Sequence, residues 1–257
     1  MTVLTDAQKH QFETLGFLCL RELLGPDEMR TYAAAFDEVM LKANGGRPWH
    51  KAPERQQVIP FFNFNPTVFH RMLDDERILE VVEDLLRQDF IYMTSEGIHL
   101  WGGTAWHHDD ICPPGQTHIK VVFFMESHRI DTGCLCVLPG SQFPAFRQRL
   151  EQYGDDMLAA EQNVPGTHPI ESNPGDVVIF DVKAYHAAFG QSERRGIYLN
   201  YFQKPTNAQQ QDHIIKCYSK RRASSGWADY TPELFEDASP RRMRMLKFVQ
   251  QHCYQPI

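Results

Sequence analysis

The sequence predicts an α+β chain with a mainly β core, a double-stranded jelly roll flanked by N-terminal helices. Three observations lead there. The first third carries apolar residues at helical spacing. Beyond residue 90 the apolar residues fall instead into short runs at 90–101, 117–125, 134–138, 168–170, 177–181 and 196–203, divided by Gly, Pro, Asn and Asp. Finally, 257 residues without a repeat, a low-complexity block or a linker suit one such core with helical additions. Residues 1–257 therefore read as a single domain, with a helical part over about 1–89, the jelly roll over about 90–205 and a helical C-terminal segment or lid over about 206–257.

Taken in order, Thr5 or Asp6 can cap a first helix carrying Phe12 and Leu15, which Gly16 stops. Phe17 to Leu20 is a short apolar strand. Pro26 and Asp27 open a second helix, with Met29, Tyr32, Phe36 and Met40 on one face, and Asn44-Gly45-Gly46 ends it. Residues 47–66 lack a period and are interrupted by prolines, so they read as a long aromatic loop. A third helix is expected over about 67–88. Trp49, Phe61, Phe62, Phe64, Trp227 and Tyr230 are placed either in an aromatic lid or in the packing of helices on the core.

Composition excludes several classes. Hydrophobic residues make up 42% of the chain, too many for a disordered one. With 33 acidic against 26 basic side chains the net charge is -7, which argues against nucleic acid as a partner. Lys220-Arg221-Arg222 and Arg241-Arg242 read as solvated surface. No apolar run is long enough for a membrane span, and the polar N-terminus lacks the apolar segment of a secretory signal. Six cysteines without a CxxC pair suit reduced thiols, with Cys134 and Cys136 on one strand face, and a cytoplasmic location is expected.

The segment TAWHHDDICPPG, 104–115, carries the chemistry. Residues at i and i+2 of a strand share a face, so a His and an Asp at that spacing supply two ligands of a 2-His-1-carboxylate site for Fe(II). The spacing occurs twice, in His107/Asp109 and in His108/Asp110, and the two registers use opposite faces. His186, after the turn Pro174-Gly175-Asp176 and the strand Val177–Phe180, is the best third ligand. Arg194 and Arg195 precede the strand GIYLNYF, where an arginine can grip the far carboxylate of a dicarboxylate chelating the metal. In THIKVVFFM, alternation puts Lys120 on a face with His118, Val122 and Phe124. A lysine there needs an anionic partner, or else lies at the surface. His99 and His118 lead toward the same segment, and His108 is placed beside the metal shell. The remaining histidines read as structural or surface residues.

Several of these stretches together resemble the phytanoyl-CoA dioxygenase family of Fe(II)/2-oxoglutarate oxygenases. LTDAQKHQFETLGFLCLRELL (4–24) is similar to the family's opening helix and strand, and WHHD (106–109) to its WHxD segment. DTGCLCVLPGSQ (131–142) is similar to its Pro-Gly-Ser signature, and PGDVVIFDVKAYHAAFGQSERRGIYLNYF (174–202) to its closing strand pair. The resemblance implies a cupin-like double-stranded β-helix, with Fe(II) held by His107, Asp109 and His186 in the Trp106-His107 register. It further implies 2-oxoglutarate held by Arg194, with Arg195 the alternative because the spacing from the histidine is short here. Lys120 is a further candidate for the cosubstrate or substrate carboxylate. Gln142 replaces the histidine that follows Pro-Gly-Ser, and Ala187-Ala188-Phe189 stands where the family often has a hydroxyl or an Asn. The implied reaction uses O2, releases succinate and CO2, and hydroxylates an unactivated C–H bond of a small molecule. Asp109 favours hydroxylation over halogenation, since related halogenating enzymes carry Gly or Ala there. Two other classes remain open, a cupin-type metal hydrolase or isomerase and a non-catalytic jelly-roll binding protein. The binding protein need not keep the full triad, and the hydrolase or isomerase does not need Arg194.

Overall fold

A computed structural model describes residues 4–49, 55–87, 89–109, 112–152, 164–190, 192–225 and 230–253. Helix α1 (Asp6–Leu15) starts on a capping box: the Thr5 hydroxyl accepts from Gln8 N–H while the Gln8 side chain accepts from Thr5 N–H. Gly16 ends the helix at φ +83°, a conformation that suits glycine, and β1 (Phe17–Leu20) follows at once. Helix α2 (Pro26–Ala43) buries Met29, Tyr32, Phe36 and Met40, the stripe expected from their spacing.

The stretch expected as a loop over 47–66 contains strand β2 (Arg55–Val58) and a 3-10 turn, Phe61–Phe64. The third helix is in fact two, α3 (Pro66–Leu73) and α4 (Glu76–Leu86). They break because the Asp75 carboxylate caps α4 by accepting from the Arg77 N–H, while the Arg77 guanidinium reaches Leu23 O and Glu28. Phe61, Phe62 and Tyr230 are buried in the core, so these three pack helices, whereas Phe64 is 39% exposed. Trp227 lies outside the described residues.

The remaining elements are β3 (Phe90–Trp101), β4 (Thr104–His107), β5 (His118–Phe124), β6 (Leu135–Val137), α5 (Pro144–Gln152), β7 (His168–Ile170), β8 (Val177–Asp181), β9 (His186–Ala188) and β10 (Glu193–Gln203). They are followed by α6 (Ala208–Ser225), α7 (Glu233–Glu236) and α8 (Pro240–His252). Two antiparallel sheets form the jelly roll, one of order β1-β8-β5-β10-β3-β2 and one of order β4-β9-β6-β7. Two strands from the helical first third, β1 and β2, thus close the two edges of the larger sheet.

Alternation along β5 sorts the core. Val122 and Phe124 point between the sheets, where they meet Leu135, Val137, Ile170, Val178 and Phe180. Ile119, Val121 and Phe123 point outward and lie under the helices with Phe36, Phe69, Leu79, Leu246 and Val249. The C-terminal helices belong to this outer layer, α8 packing on β3. The Arg241-Arg242 pair is correspondingly not solvated: Arg242 is 1% exposed and pairs with Asp237 and Asp74, and Arg241 pairs with Glu76 and Glu83. Packing α8 against α3 and α4 brings carboxylates onto both guanidinium groups. All six cysteines are thiols, and both Cys134 and Cys136 are buried. Among the described residues no helix is long and apolar enough to cross a membrane.

Candidate metal centre

The open end of the roll brings together the three residues that were expected to meet. Strands β4 and β9 pair antiparallel, with His107 opposite His186 and ring centroids 4.3 Å apart. Just past β4, the Asp109 backbone N–H donates to Val182 O at 3.0 Å, which folds the carboxylate back toward the two rings. His107 Nε2 lies 3.6 Å from Asp109 Oδ1, and His186 Nε2 lies 3.7 Å from Oδ2.

Each ring is oriented by its other nitrogen, His107 Nδ1–H donating to Ala105 O at 2.8 Å and His186 Nδ1–H to Ala184 O at 2.9 Å. A carbonyl can only accept, so both bonds fix the tautomer that leaves an Nε2 lone pair facing the carboxylate. Burial keeps the His186 imidazole neutral, with its pKa pushed down to about 4. Burial also pushes the Asp109 carboxyl upward, but the Lys120 ammonium beside it outweighs this and holds the group well below the usual carboxylate range. The three ligand atoms lie within 4.8 Å of one another, a spacing that suits a first-row divalent ion at about 2.0–2.2 Å from each. Two imidazoles and one carboxylate on adjoining strands fit Fe(II) and leave coordination positions open.

His108, one residue out of register, points away. Its ring sits edge-on to Tyr185 with centroids 5.2 Å apart, on the other side of the strand. Asp110 lies outside the described residues.

The two arginines part in the same way. Arg194 points into the cleft that holds the triad, 7% exposed, donating to Gly133 O at 3.0 Å and to Thr104 Oγ1 at 3.3 Å. Arg195, its neighbour on β10, faces the other way and pairs with Glu126 and with both oxygens of Asp37.

Lys120 is no surface lysine. It is 7% exposed, its Nζ lies 2.7 Å from Asp109 Oδ2 and 3.7 Å from Glu96 Oε1, and it borders the same cleft. Glu96 is fixed in turn by Gln57 Nε2 at 2.8 Å and Asn200 Nδ2 at 2.9 Å. The buried carboxylate of Glu96, together with Thr104 and Asn200, was missed in the sequence. The signal was there for Glu96, a lone acid two residues before Ile98 and four before Leu100, both of which line the cleft. His99 and His118 do not reach the triad: His99 pairs with Glu193 at 2.6 Å and stacks on Trp49, while His118 stacks on Phe202 and meets Asn200. Gln142 ties its loop to the end of α1 through Thr14 O at 3.2 Å.

Ile98, Leu100, Phe124, Leu135 and Phe180 form the apolar wall of the cleft. A jelly roll holding two imidazole nitrogens and a carboxylate at one end of such a cleft, with a buried arginine in its wall, defines the 2-His-1-carboxylate class of non-haem iron oxygenases. The chain belongs to the phytanoyl-CoA dioxygenase family, whose model matches residues 12–196. It is accordingly an Fe(II)- and 2-oxoglutarate-dependent oxygenase, as the resemblance implied. No curated protein matches the chain in sequence. Solved structures with a similar fold include the non-heme alpha-ketoglutarate-dependent carbocyclase SnoK from nogalamycin biosynthesis, with 18% identity over 78% of this chain and 85% of that one and a TM-score of 0.63. HygX from Streptomyces hygroscopicus, solved with nickel and 2-oxoglutarate, shows 19% identity over 79% and 88% of the two chains at 0.62. EctD from S. alaskensis, solved with 2-oxoglutarate and 5-hydroxyectoine, shows 17% identity over 77% and 76% at 0.60.

Proposed function

We propose that this oxygenase hydroxylates an unactivated C–H bond of a small molecule, with Fe(II) held by His107, Asp109 and His186 and the far carboxylate of 2-oxoglutarate held by Arg194. One observation carries the reading: the triad and a buried arginine share the walls of a single cleft. Bound iron and 2-oxoglutarate supply the chemistry, activating O2 as the keto acid is decarboxylated to succinate and CO2.

The chain's own residues do the rest. His107 and His186 present Nε2 because Ala105 and Ala184 fix their tautomers. Lys120 holds one oxygen of Asp109, which leaves the other for the metal, so its part in cofactor binding runs through that carboxylate. Gly133 O and the Thr104 hydroxyl aim the Arg194 guanidinium, preorganising a cation for a carboxylate at the inner end of the cleft. The apolar wall excludes water and suits a hydrocarbon portion of substrate. HygX has been solved with hygromycin B and EctD with 5-hydroxyectoine, both small molecules, which supports a small-molecule substrate here. The net charge of -7 makes nucleic acid the wrong partner.

The test is anaerobic addition of 2-oxoglutarate to the Fe(II)-loaded protein, followed by substrate screening through succinate release. A weak visible charge-transfer band, lost or weakened in Arg194→Ala, is the expected result. A hydrolase or isomerase on the same metal site would show no band and would keep its activity in Arg194→Ala.

A further inference from the structure

A buried cation and a hydroxyl meet in the wall of the reaction cleft. Arg194 is 7% exposed, yet it pairs with no carboxylate among the described residues; its partners are two neutral oxygens, Gly133 O at 3.0 Å and Thr104 Oγ1 at 3.3 Å. A buried guanidinium without a counter-charge is costly, so this part of the cleft suits an anion. The Thr104 hydroxyl accepts from Arg194 Nη2, and a guanidinium has no acceptor to offer in return. The hydroxyl therefore has its single hydrogen left to give, and among the described residues no other group accepts it.

Strand register settles where this hydroxyl stands. In the β4–β9 ladder His107 lies opposite His186 and Thr104 opposite Ala188, with a register shift between the two pairs. Plain alternation from His107 would turn Thr104 outward, since the two are three residues apart. The extra residue on β4 turns it inward instead, onto the face that carries the metal ligands. Thr104 and Ala188 both line the cleft, and the alanine brings no polar side-chain atom to it. The other polar side chains of the cleft are placed differently. Lys120 is held by Asp109 and Glu96. Arg55 on β2 is exposed and is separated from Arg194 by Leu100, which pairs with both strands. Tyr198 folds its ring over Gly196, where an added Cβ would come within 3.2 Å of the tyrosine hydroxyl, so it is the competing donor.

We infer that Thr104 binds 2-oxoglutarate directly, its hydroxyl donating to the far carboxylate while its lone pair steadies Arg194. The inference rests on the assignment of that carboxylate to Arg194. It makes Thr104 a contact in its own right: a carboxylate beside the two side chains takes N–H bonds from the guanidinium and an O–H bond from the threonine.

The test is calorimetric titration of the Fe(II)-loaded protein with 2-oxoglutarate under anaerobic conditions. Thr104→Val, which keeps the shape of the side chain and removes the hydroxyl, should weaken binding about tenfold, while Thr104→Ser should stay within about threefold of the parent. In an Arg194→Ala background Thr104→Val should still weaken binding by about fivefold or more, because a direct contact does not act through the arginine. Zn(II) affinity should be the same in the parent and in every Thr104 variant, and Thr104→Ala carries the test if Thr104→Val does not fold. The inference alone is overturned if Thr104→Val has no effect, if its effect vanishes without Arg194, or if Tyr198→Phe produces the loss in its place. If Arg194→Ala leaves the titration unchanged, the cosubstrate assignment fails and this inference fails with it.

Discussion

Replacing Lys120 by Met separates the electrostatic role of this lysine from its bulk. At 2.7 Å the gross attraction between Nζ and Asp109 is about 6 kcal/mol at an effective dielectric constant of about 20. Most of it is offset by desolvation, because the two side chains are 9% and 18% exposed. Removing one partner of such a pair nevertheless costs about 3–5 kcal/mol, since the other charge stays buried and uncompensated. Methionine keeps the length and apolar contact of the lysine stem, so packing changes little. At about 2–4 °C per kcal/mol for a domain of this size, the metal-free variant should melt about 10 °C below the parent. A divalent ion offers Asp109 a replacement counter-charge, so with saturating Zn(II) the drop should shrink to a few degrees. By linkage, Zn(II) should bind the variant about 30-fold more tightly, equivalent to about 2 kcal/mol. Thermal unfolding with and without Zn(II), together with calorimetric Zn(II) titration, measures both quantities. Equal drops in the metal-free and loaded proteins would refute the reasoning and make Lys120 a packing residue.

Three further predictions follow from the same geometry. Arg194→Ala should raise the 2-oxoglutarate concentration needed for half-maximal succinate release by about 30-fold or more, the loss of a buried charge-assisted contact, whereas Arg195→Ala, on the opposite face of β10, should leave it unchanged; equal effects would disprove the assignment of faces. His128 is 1% exposed, and burial with the Arg194 and Arg129 charges pushes its pKa down to about 4, so the unfolded chain binds more protons below the ordinary histidine value of 6.5. The stability it contributes is complete above about pH 6.5 and drains away as the pH falls toward 4, by about 1–3 kcal/mol, and urea melts of His128→Gln should show a shallower loss over that window than the parent. Gly97 on β3 lies directly under the Phe61 ring, where an added Cβ would come within 2.2 Å of Phe61 Cδ2. Gly97→Ala should therefore destabilise by about 1–3 kcal/mol or more, and an unchanged melting temperature would show that the ring moves aside freely.

Much of this candidate site was legible before the fold was known, because its proposed ligands lie in short segments whose local geometry is nearly fixed. His107 and Asp109 share a face, and the Pro-Gly-Asp turn followed by an apolar strand marks His186 as the third candidate beyond that strand; that His186 opens a strand of its own is decided by the fold. The alternation that set Lys120 with Val122 and Phe124 holds residue for residue. What local pattern gets wrong lies where a neighbour decides. The period through 67–88 is continuous, yet Asp75 caps a new helix there, held in place by Arg77, itself anchored on Glu28 and Leu23. Arg242 reads as a surface charge until α8 lays it beside Asp74 and Asp237.

The sequence alone determined the candidate ligand types and the spacing that puts His107 and Asp109 on one face, because side-chain direction along a strand depends only on parity. The tertiary structure decided which face looks into the cleft, which carboxylates meet Lys120, and that β1 and β2 from the helical third close the sheet's edges. Those outcomes depend on contacts between residues far apart in the chain. Burial and charge pairing across such distances are set by how the layers pack, which no local period records.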